Sequence, residues 1–453
     1  MFRFPDGFIN SIANCEGFDQ AYFIEAHNNA PVQSVRFSPF RQNETNFTGE
    51  RVPWCESGLI LEKRPEYIFD PLLHSGVYYV QEASSMFLDF ILKQLSFSNE
   101  EPVCLDLCAA PGGKSTIISS HLKNKGLLVS NEVIRSRAKI LEENLIKWNS
   151  FNSVITNNDP SRFGELIDLF DLIVIDAPCS GSGLFRKDKE SVNEWSLKNV
   201  ELCASRQKRI IADIIPSLKT NGFIIYCTCS YSYEENEEVI DWALNNFSLE
   251  SVPIKIPAEW GVVETKSRKN KANGYRFYPD KLSGEGFFIS VLSNLNSENK
   301  RINLSNYSNK KTSKNYFSEW INKTENATTI EANNELHIIP NYHKNLIDYL
   351  KQRLNILNFG VRAGKMIREE LIPEHSLAMS SFLSDKVNKI EIDLPLAISY
   401  LRKEPILLPN DKQGWSVLTY KGNNLGWVKI LKGRVNNYYP KEWRILKTFD
   451  GEK

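Results

Sequence analysis

Five short runs in the middle of the chain are apolar at nearly every position rather than at alternate ones. They are VCLDLCAA (103–110), GLLVSNE (126–132), SVITNND (153–159), DLIVIDAP (171–178) and GFIIYCTC (222–229). A strand that is apolar on both sides is buried on both sides, which is the pattern of a parallel sheet covered by helices. The intervening stretches supply the helices. Ile134, Ala138, Leu141, Leu145 and Trp148 recur at spacings of four and three, one apolar stripe of a helix over 134–148. A second helix is predicted to begin within 234–242, after a Ser-rich turn. The expected core is therefore α/β, with a doubly covered, mostly parallel sheet.

In such a sheet the ligand crevice opens beyond the carboxyl ends of the strands. All five runs end in chemistry-bearing residues: a glycine loop after the first, Glu132 after the second, Asp159 after the third, Asp176-Ala-Pro-Cys179 after the fourth and Cys229 after the fifth. One such acid alone is better read as a helix N-cap. The ordered series of five points to a site.

The flanks read differently. Residues 1–70 combine a helical start, a possible strand in SVRFSPF (34–40) and the stretch RVPWCESGLIL (51–61), a small α+β element. Residues 293–335 are rich in Asn, Ser and Lys, the composition of a polar linker. From 336 to 453 short apolar runs alternate with turn signals, among them LPLAISYL, GWSVLTYKGNNLGWVKIL and NNYYPKEWRIL, predicting a compact β-rich module. The organisation expected is 1–70, 71–292, 293–335 and 336–453.

Charge changes this picture only locally. The 453 residues carry 55 Lys plus Arg against 55 Asp plus Glu, so the net charge is silent about partners. Residues 261–315, however, hold eleven basic against four acidic side chains, and 412–453 nine against three. Two basic segments in a neutral protein point to a polyanion, although any single lysine among Arg268, Lys269 and Lys271 fits a solvated loop equally well. No run of about 18 apolar residues occurs, so no membrane span is expected. No secretory signal is recognised at the start, and the eight cysteines are scattered without a disulfide framework, so a reducing cytoplasm is expected.

The loop CAAPGGKST (108–116) ends in Gly-Lys-Ser but lacks the earlier glycine of a phosphate-binding loop, because that position is Cys108. It also lacks a dinucleotide fingerprint. A tight loop whose Gly112 and Gly113 let a ligand approach the backbone remains. With an acid suited to ribose hydroxyls and another suited to an adenine amino group, it fits an adenosine-containing cofactor, S-adenosylmethionine foremost. Among the cysteines, zinc is disfavoured because C-x3-C and C-x-C are poor ligand spacings, and no metal is expected. Cys15, Cys55, Cys104 and Cys203 read as small buried hydrophobes. Cys179 and Cys229 differ, since each sits where a strand gives way to a Gly- or Ser-containing turn facing the crevice. A thiolate there can attack an electrophilic ring carbon, and a second cysteine can assist release.

LDLCAAPGGKST, Asn131-Glu132, NND (157–159), DAPCSGSGLFRKD, YCTCSYSYEENEEV and GYRFYPDKLSGEGFF (274–288) resemble, in order, the motifs of the Sun-type (NSUN) RNA cytosine-5 methyltransferases. VPWCESG, HSGVYYVQEASSM (74–86) and LGWVKILKGRVNNYYPKEWRI are similar to the bacterial branch acting on 16S ribosomal RNA, with its PUA-like tail. The resemblance implies a Rossmann-like class I S-adenosylmethionine-dependent methyltransferase core, a small N-terminal α+β element that contacts RNA through PVQSVRFSPFR, and a C-terminal PUA-like RNA-binding domain. It implies that Cys229 adds to C6 of the target cytosine and that Cys179 assists proton removal from C5 and release. Asp176 would hold the cytosine ring beside the cofactor. Cys108, Ala109, Ala110, Pro111, Gly112, Gly113, Lys114, Glu132 and Asp159 would hold S-adenosylmethionine. Cys227 falls outside the functional positions and reads as packing. The expected partner is ribosomal RNA or the small ribosomal subunit, with a monomeric protein and no membrane. Transfer RNA as substrate, or a non-catalytic assembly factor on the same fold, are the competing expectations.

Overall fold

A computed structural model describes residues 2–448, except for 124, 297–303, 308–318, 323–324, 333, 369 and 409–411. Four strands build an N-terminal antiparallel sheet in the order β2-β3-β1-β4: β1 (Ser34–Phe37), β2 (Gly49–Val52), β3 (Cys55–Leu61) and β4 (Tyr78–Val80). This sheet therefore runs past residue 70. Two helices, Phe8–Ile12 and Gln20–His27, precede it, the second capped by the Asp19 side chain on the backbone N–H groups of Ala21 and Tyr22.

The five apolar runs are strands, and all five are parallel: β5 (Val103–Asp106), β6 (Leu127–Asn131), β7 (Ser153–Thr156), β8 (Phe170–Asp176) and β9 (Leu218–Thr228). β10 (Leu249–Ser251), β11 (Val263–Lys266), β12 (Asn273–Phe277) and β13 (Phe287–Asn294) add antiparallel strands at one side, with β13 beside β9. The chain leaves β5 toward β6 and β7 in one direction and toward β8 and β9 in the other. That reversal of strand order opens the crevice at the carboxyl ends of β5 and its neighbours. Helices Gly113–Leu122, Arg135–Lys147 and Leu197–Ile214 cover the sheet, and apolar side chains such as Leu105, Val129, Ile173 and Ile224 are completely buried between the layers.

The C-terminal part holds β14 (Ala327–Ala332), β15 (Glu335–Pro340), β16 (Ile356–Phe359), β17 (Val361–Ile367) and β18 (Glu370–Pro373), followed by β19 (Asn388–Glu391), β20 (Gly414–Tyr420), β21 (Asn423–Leu431) and β22 (Arg434–Asn437). Two four-stranded sheets result, β14-β15-β17-β18 and β19-β20-β21-β22. β16 belongs to neither. It pairs antiparallel with β7 and so completes the central sheet from the far end of the sequence, with Gly360 N–H donating to the Ser153 carbonyl. LPLAISYL, read among the apolar runs of a β-rich tail, is a helix (Leu394–Leu401): Asp393 caps it on the Leu396 N–H, and Pro395 falls in the first turn, where a missing N–H costs nothing. The helix anticipated over 234–242 begins only at Glu237, because the preceding turn is held by side-chain hydrogen bonds described below.

Candidate active site

The first turn of the helix Gly113–Leu122 sits directly after β5, and Gly112 makes the entry with φ +119, a backbone state that favours glycine. No side chain caps this helix, so its N–H groups face the crevice. The loop is gripped from outside by Arg36 of β1, completely buried: its Nη2 donates to Thr116 Oγ1 at 2.5 Å and to the Gly113 carbonyl at 3.3 Å, its Nε to Gln81 Oε1, and its guanidinium lies 4.5 Å over Trp148. Arg41 is likewise spent on the carbonyls of Lys147 and Met379. The two arginines of the stretch expected to face RNA are thus bound to the protein's own backbone.

Asn131, buried at the end of β6, staples three strand ends. Its amide donates to the carbonyls of Leu107 and Asn158, and its oxygen accepts from Asn158 N–H and Thr156 Oγ1. Glu132 beside it is buried, takes the Ile134 N–H and lies 3.4 Å from Arg137. Asp159 is exposed and turned toward its own chain: Oδ1 accepts from Ser161 N–H and Oγ, which holds its carboxyl below the usual range. The capping interpretation thus describes one oxygen of Asp159. Beneath the loop, Asp106 accepts from Ser115 Oγ, while its other oxygen is buried with no hydrogen-bond partner, and burial pushes this carboxyl up to about 7. Buried polar atoms are almost always paired. The uncapped N-terminus, the glycine entry, the unpaired Asp106 oxygen and Glu132 together suit a cationic, hydroxyl-bearing group such as S-adenosylmethionine.

Lys114, one residue into the helix, reaches across to β8 and places Nζ 2.7 Å from Asp176 Oδ2. Burial, the largest single influence, opposes its charge, but Asp176, Cys227 and Asp106 together outweigh it and the ammonium is held more firmly than in water. Beyond Asp176 the chain turns through Pro178, and Cys179 Sγ comes to 3.2 Å from Cys229 Sγ. The bond to Cys229, reinforced by burial, pushes the Cys179 thiol well up. Cys179 thus holds its own proton tightly, and either sulfur can donate to the other across the pair. Cys227 is completely buried, with Sγ 3.6 Å from the Ile175 carbonyl and 3.8 Å from Asp176 Oδ1. It underlies the site without lining the sulfur pair.

What brings the two sulfurs together is Glu235, which sequence reasoning passed over. Completely buried, it accepts from Ser180 N–H at 2.7 Å, Ser180 Oγ at 2.5 Å and Ser230 Oγ at 2.6 Å, the residues next to Cys179 and Cys229. Asn236 ties the same turn by donating to the Ser230 carbonyl. Gly183 allows the closest backbone approach: its N–H donates to the Cys229 carbonyl at 2.8 Å, and a Cβ there would fall 2.3 Å from the Gly286 carbonyl. The signal in the sequence is Glu235 inside YSYEENEEV, indistinguishable by composition from the first acidic turn of an exposed helix.

Three family descriptions match successive parts of the chain. The family described as 16S rRNA methyltransferase RsmB/F matches residues 93–293, the N-terminal domain of 16S rRNA methyltransferase RsmF matches 4–83, and the methyltransferase RsmF PUA domain matches 387–445. Ribosomal RNA small subunit methyltransferase F of Shewanella woodyi is 30% identical over 474 residues, covering 98% of this chain and 97% of its own. The Vibrio vulnificus protein of that name is 28% identical, covering 88% and 86%. Among solved structures, a methyltransferase homolog from Pyrococcus horikoshii is 26% identical with a TM-score of 0.52, covering 64% of this chain and all of that one. NSun6 from the same organism, solved with SFG, shares the fold at 21% identity and a TM-score of 0.55 over 65% of this chain and 99% of that one.

Proposed function

The chain belongs to the 16S rRNA methyltransferase RsmB/F family, and from that premise we propose that the paired sulfurs of Cys179 and Cys229 perform methylation of C5 of a cytosine in small-subunit ribosomal RNA. The protein is an S-adenosylmethionine-dependent RNA cytosine-5 methyltransferase. The observation that carries the residue assignment is the 3.2 Å separation of the two sulfurs.

Cys229 forms a bond to C6 of the cytosine and pushes electron density onto C5. S-adenosylmethionine, when bound, supplies the methyl group. Asp176, fixed by Lys114, holds the ring so that this charge develops in place. Cys179 then assists loss of the C5 proton, after which Cys229 leaves C6. Residues 108–114 hold the cofactor with Glu132 and Asp159, Glu132 taking the ribose hydroxyls. Reaching C5 requires an unstacked base, easiest in a looped or single-stranded RNA. Among the described residues no helix is long and apolar enough to cross a membrane. A monomer working in the cytoplasm, where ribosomal RNA is made, fits this reading.

Bisulfite mapping of ribosomal and transfer RNA from cells with and without the gene tests it. Loss of one methylated cytosine in 16S rRNA is expected; loss in a transfer RNA alone, or nowhere, rejects the substrate. Glu235 gives a second test as a positioning residue. Its carboxylate accepts four hydrogen bonds, from Ser180 N–H, Ser180 Oγ, Ser230 Oγ and Gln207 Nε2, and a glutamine keeps only one acceptor oxygen for them. Glu235→Gln is expected to lower kcat about a hundredfold, on the order of 2.7 kcal/mol in the barrier, while calorimetry shows the affinity for S-adenosylmethionine within threefold of wild type. An unchanged kcat would remove Glu235 from the account.

A further inference from the structure

A cavity of about 390 Å³ opens where three distant segments meet: the turn and strand 68–80, the end of the helix Arg135–Lys147, and residues 443–445. Its wall is aromatic and aliphatic, with Tyr79 and Trp443 half-buried and Ile68 and Val80 on the rim, 41% and 39% exposed. Isolated exposed apolar residues need no explanation, but these two edge one concave site. The rim carries one exposed cation, while a second is buried and paired. Arg444 is exposed, and Lys147 lies 5.4 Å from the Trp443 ring with Glu143, the acid in the wall, already paired to it at 2.5 Å.

The cavity is tied to the cofactor loop. Asn144 in its wall donates to the Pro111 carbonyl at 2.8 Å, and Tyr79 packs beside Gly113. Its floor is rigid and joins the two ends of the chain: His74 Nε2 bonds to the Ile68 carbonyl at 2.8 Å, and Tyr439 Oη approaches His74 Nδ1 at 3.4 Å. Arg36 and Arg41 are spent internally, so the N-terminal sheet meets RNA through other groups, and Ile68, Tyr79 and Val80 are the surface it presents here. The volume suits one nucleobase with its ribose and is too small for a strand or helix of another protein.

Resting on the functional reading above, we propose that this cavity is a subsite for a single unstacked nucleotide of the substrate RNA other than the target cytosine. Its base packs against Tyr79, Trp443, Ile68 and Val80, and its phosphate faces Arg444. The occupant must be RNA of a shape that splays two bases at once, which makes the subsite a reader of the substrate's fold.

The test uses the full-length protein and a fluorescein-labelled fragment of 16S rRNA containing the mapped cytosine. Ile68→Asp, Val80→Asp and Arg444→Glu alter exposed positions and leave the catalytic groups alone. Each is expected to weaken binding by anisotropy about tenfold and to raise KM similarly, with kcat within twofold and cofactor affinity unchanged. Single abasic substitutions along the fragment should then show one non-target position that costs wild type about tenfold and costs Val80→Asp nothing further. Binding within twofold of wild type for all three variants, or additive losses at every abasic position, overturns the subsite. A wild-type protein that binds the fragment yet methylates no RNA would undo the functional reading instead, because anisotropy needs no turnover.

Discussion

Cys229→Ala is expected to abolish methyl transfer, and Cys179→Ala to accumulate a protein–RNA adduct that survives denaturing electrophoresis as a slow band. The asymmetry follows from the geometry. The sulfurs are 3.2 Å apart, so both reach one cytosine, each in the role proposed for it above. Removing Cys229 removes the atom that bonds C6, so no covalent species can form. Removing Cys179 leaves the attack possible but takes away the group that assists loss of the C5 proton, and the adduct is stranded. The loss for Cys229→Ala should exceed 10⁴-fold, about 5.4 kcal/mol or more. A double variant should behave as Cys229→Ala, because the second sulfur has no task before the first has acted. If Cys229→Ala traps RNA and Cys179→Ala does not, the two roles are exchanged; if Cys179→Ala turns over like wild type, the release role is gone.

Acidification is the second large effect. All six histidines are held toward the neutral form by burial, His27, His337 and His343 to about 4, His74 and His375 to about 3, and His121 below its usual range. Burial is the first cause in each, and nearby cations add to it at His74, from Lys147, and at His375, from Lys147, Arg41 and Lys403. An unfolded imidazole binds its proton near pH 6.5, the folded ones well below. Stability is therefore level above pH 6.5 and is lost as pH falls from 6.5 toward 4. Asp106 works oppositely: held at about 7, it gains its proton earlier in the folded state and offsets part of the loss between pH 7 and 4. Burial also raises the carboxyls of Glu142, Asp213, Glu235, Asp280 and Glu285, which add to that offset, and the loss at the histidines is expected to exceed it. Thermal unfolding followed by circular dichroism from pH 7.5 to 5.5 should show a midpoint falling by ten degrees or more. His375→Leu should flatten that slope, since neither ring nitrogen of His375 has a hydrogen-bond partner. A flat midpoint across this range would contradict the burial argument.

How far the sequence anticipated all this depended on how each residue spends its chemistry. β5 to β9 were legible because a strand buried on both sides must be apolar throughout, and the crevice followed from their ends. The sulfur pair was legible because both cysteines stand at strand-to-turn transitions. The internal bonds of Arg36 and Arg41 were not legible, since an arginine bonded within the protein and one facing a phosphate look alike in a sequence. Glu235 hid in a run of acids whose partners, Ser180 and Ser230, lie 55 and 5 residues away. The bond of the Lys114 ammonium to Asp176, on a strand some sixty residues later, joins two residues that were both assigned to the cofactor without any sign that they touch. β16 was invisible: ILNF is four residues long, and only its register against Val154, Ile155 and Thr156 makes it part of the central sheet.

That last strand has a consequence for how the protein is made. β7 leaves the ribosome about 200 residues before β16, which at roughly 5–20 residues per second is a wait of about 10–40 seconds. Throughout it the edge of β7 offers unpaired backbone groups, the surface on which nascent chains join one another. The central sheet is therefore sealed late, by a segment from the C-terminal part of the chain. A gene shortened after the catalytic motifs would encode every reacting group and still release a sheet with an open side, so in this chain synthesis of the C-terminal half is part of finishing the enzyme.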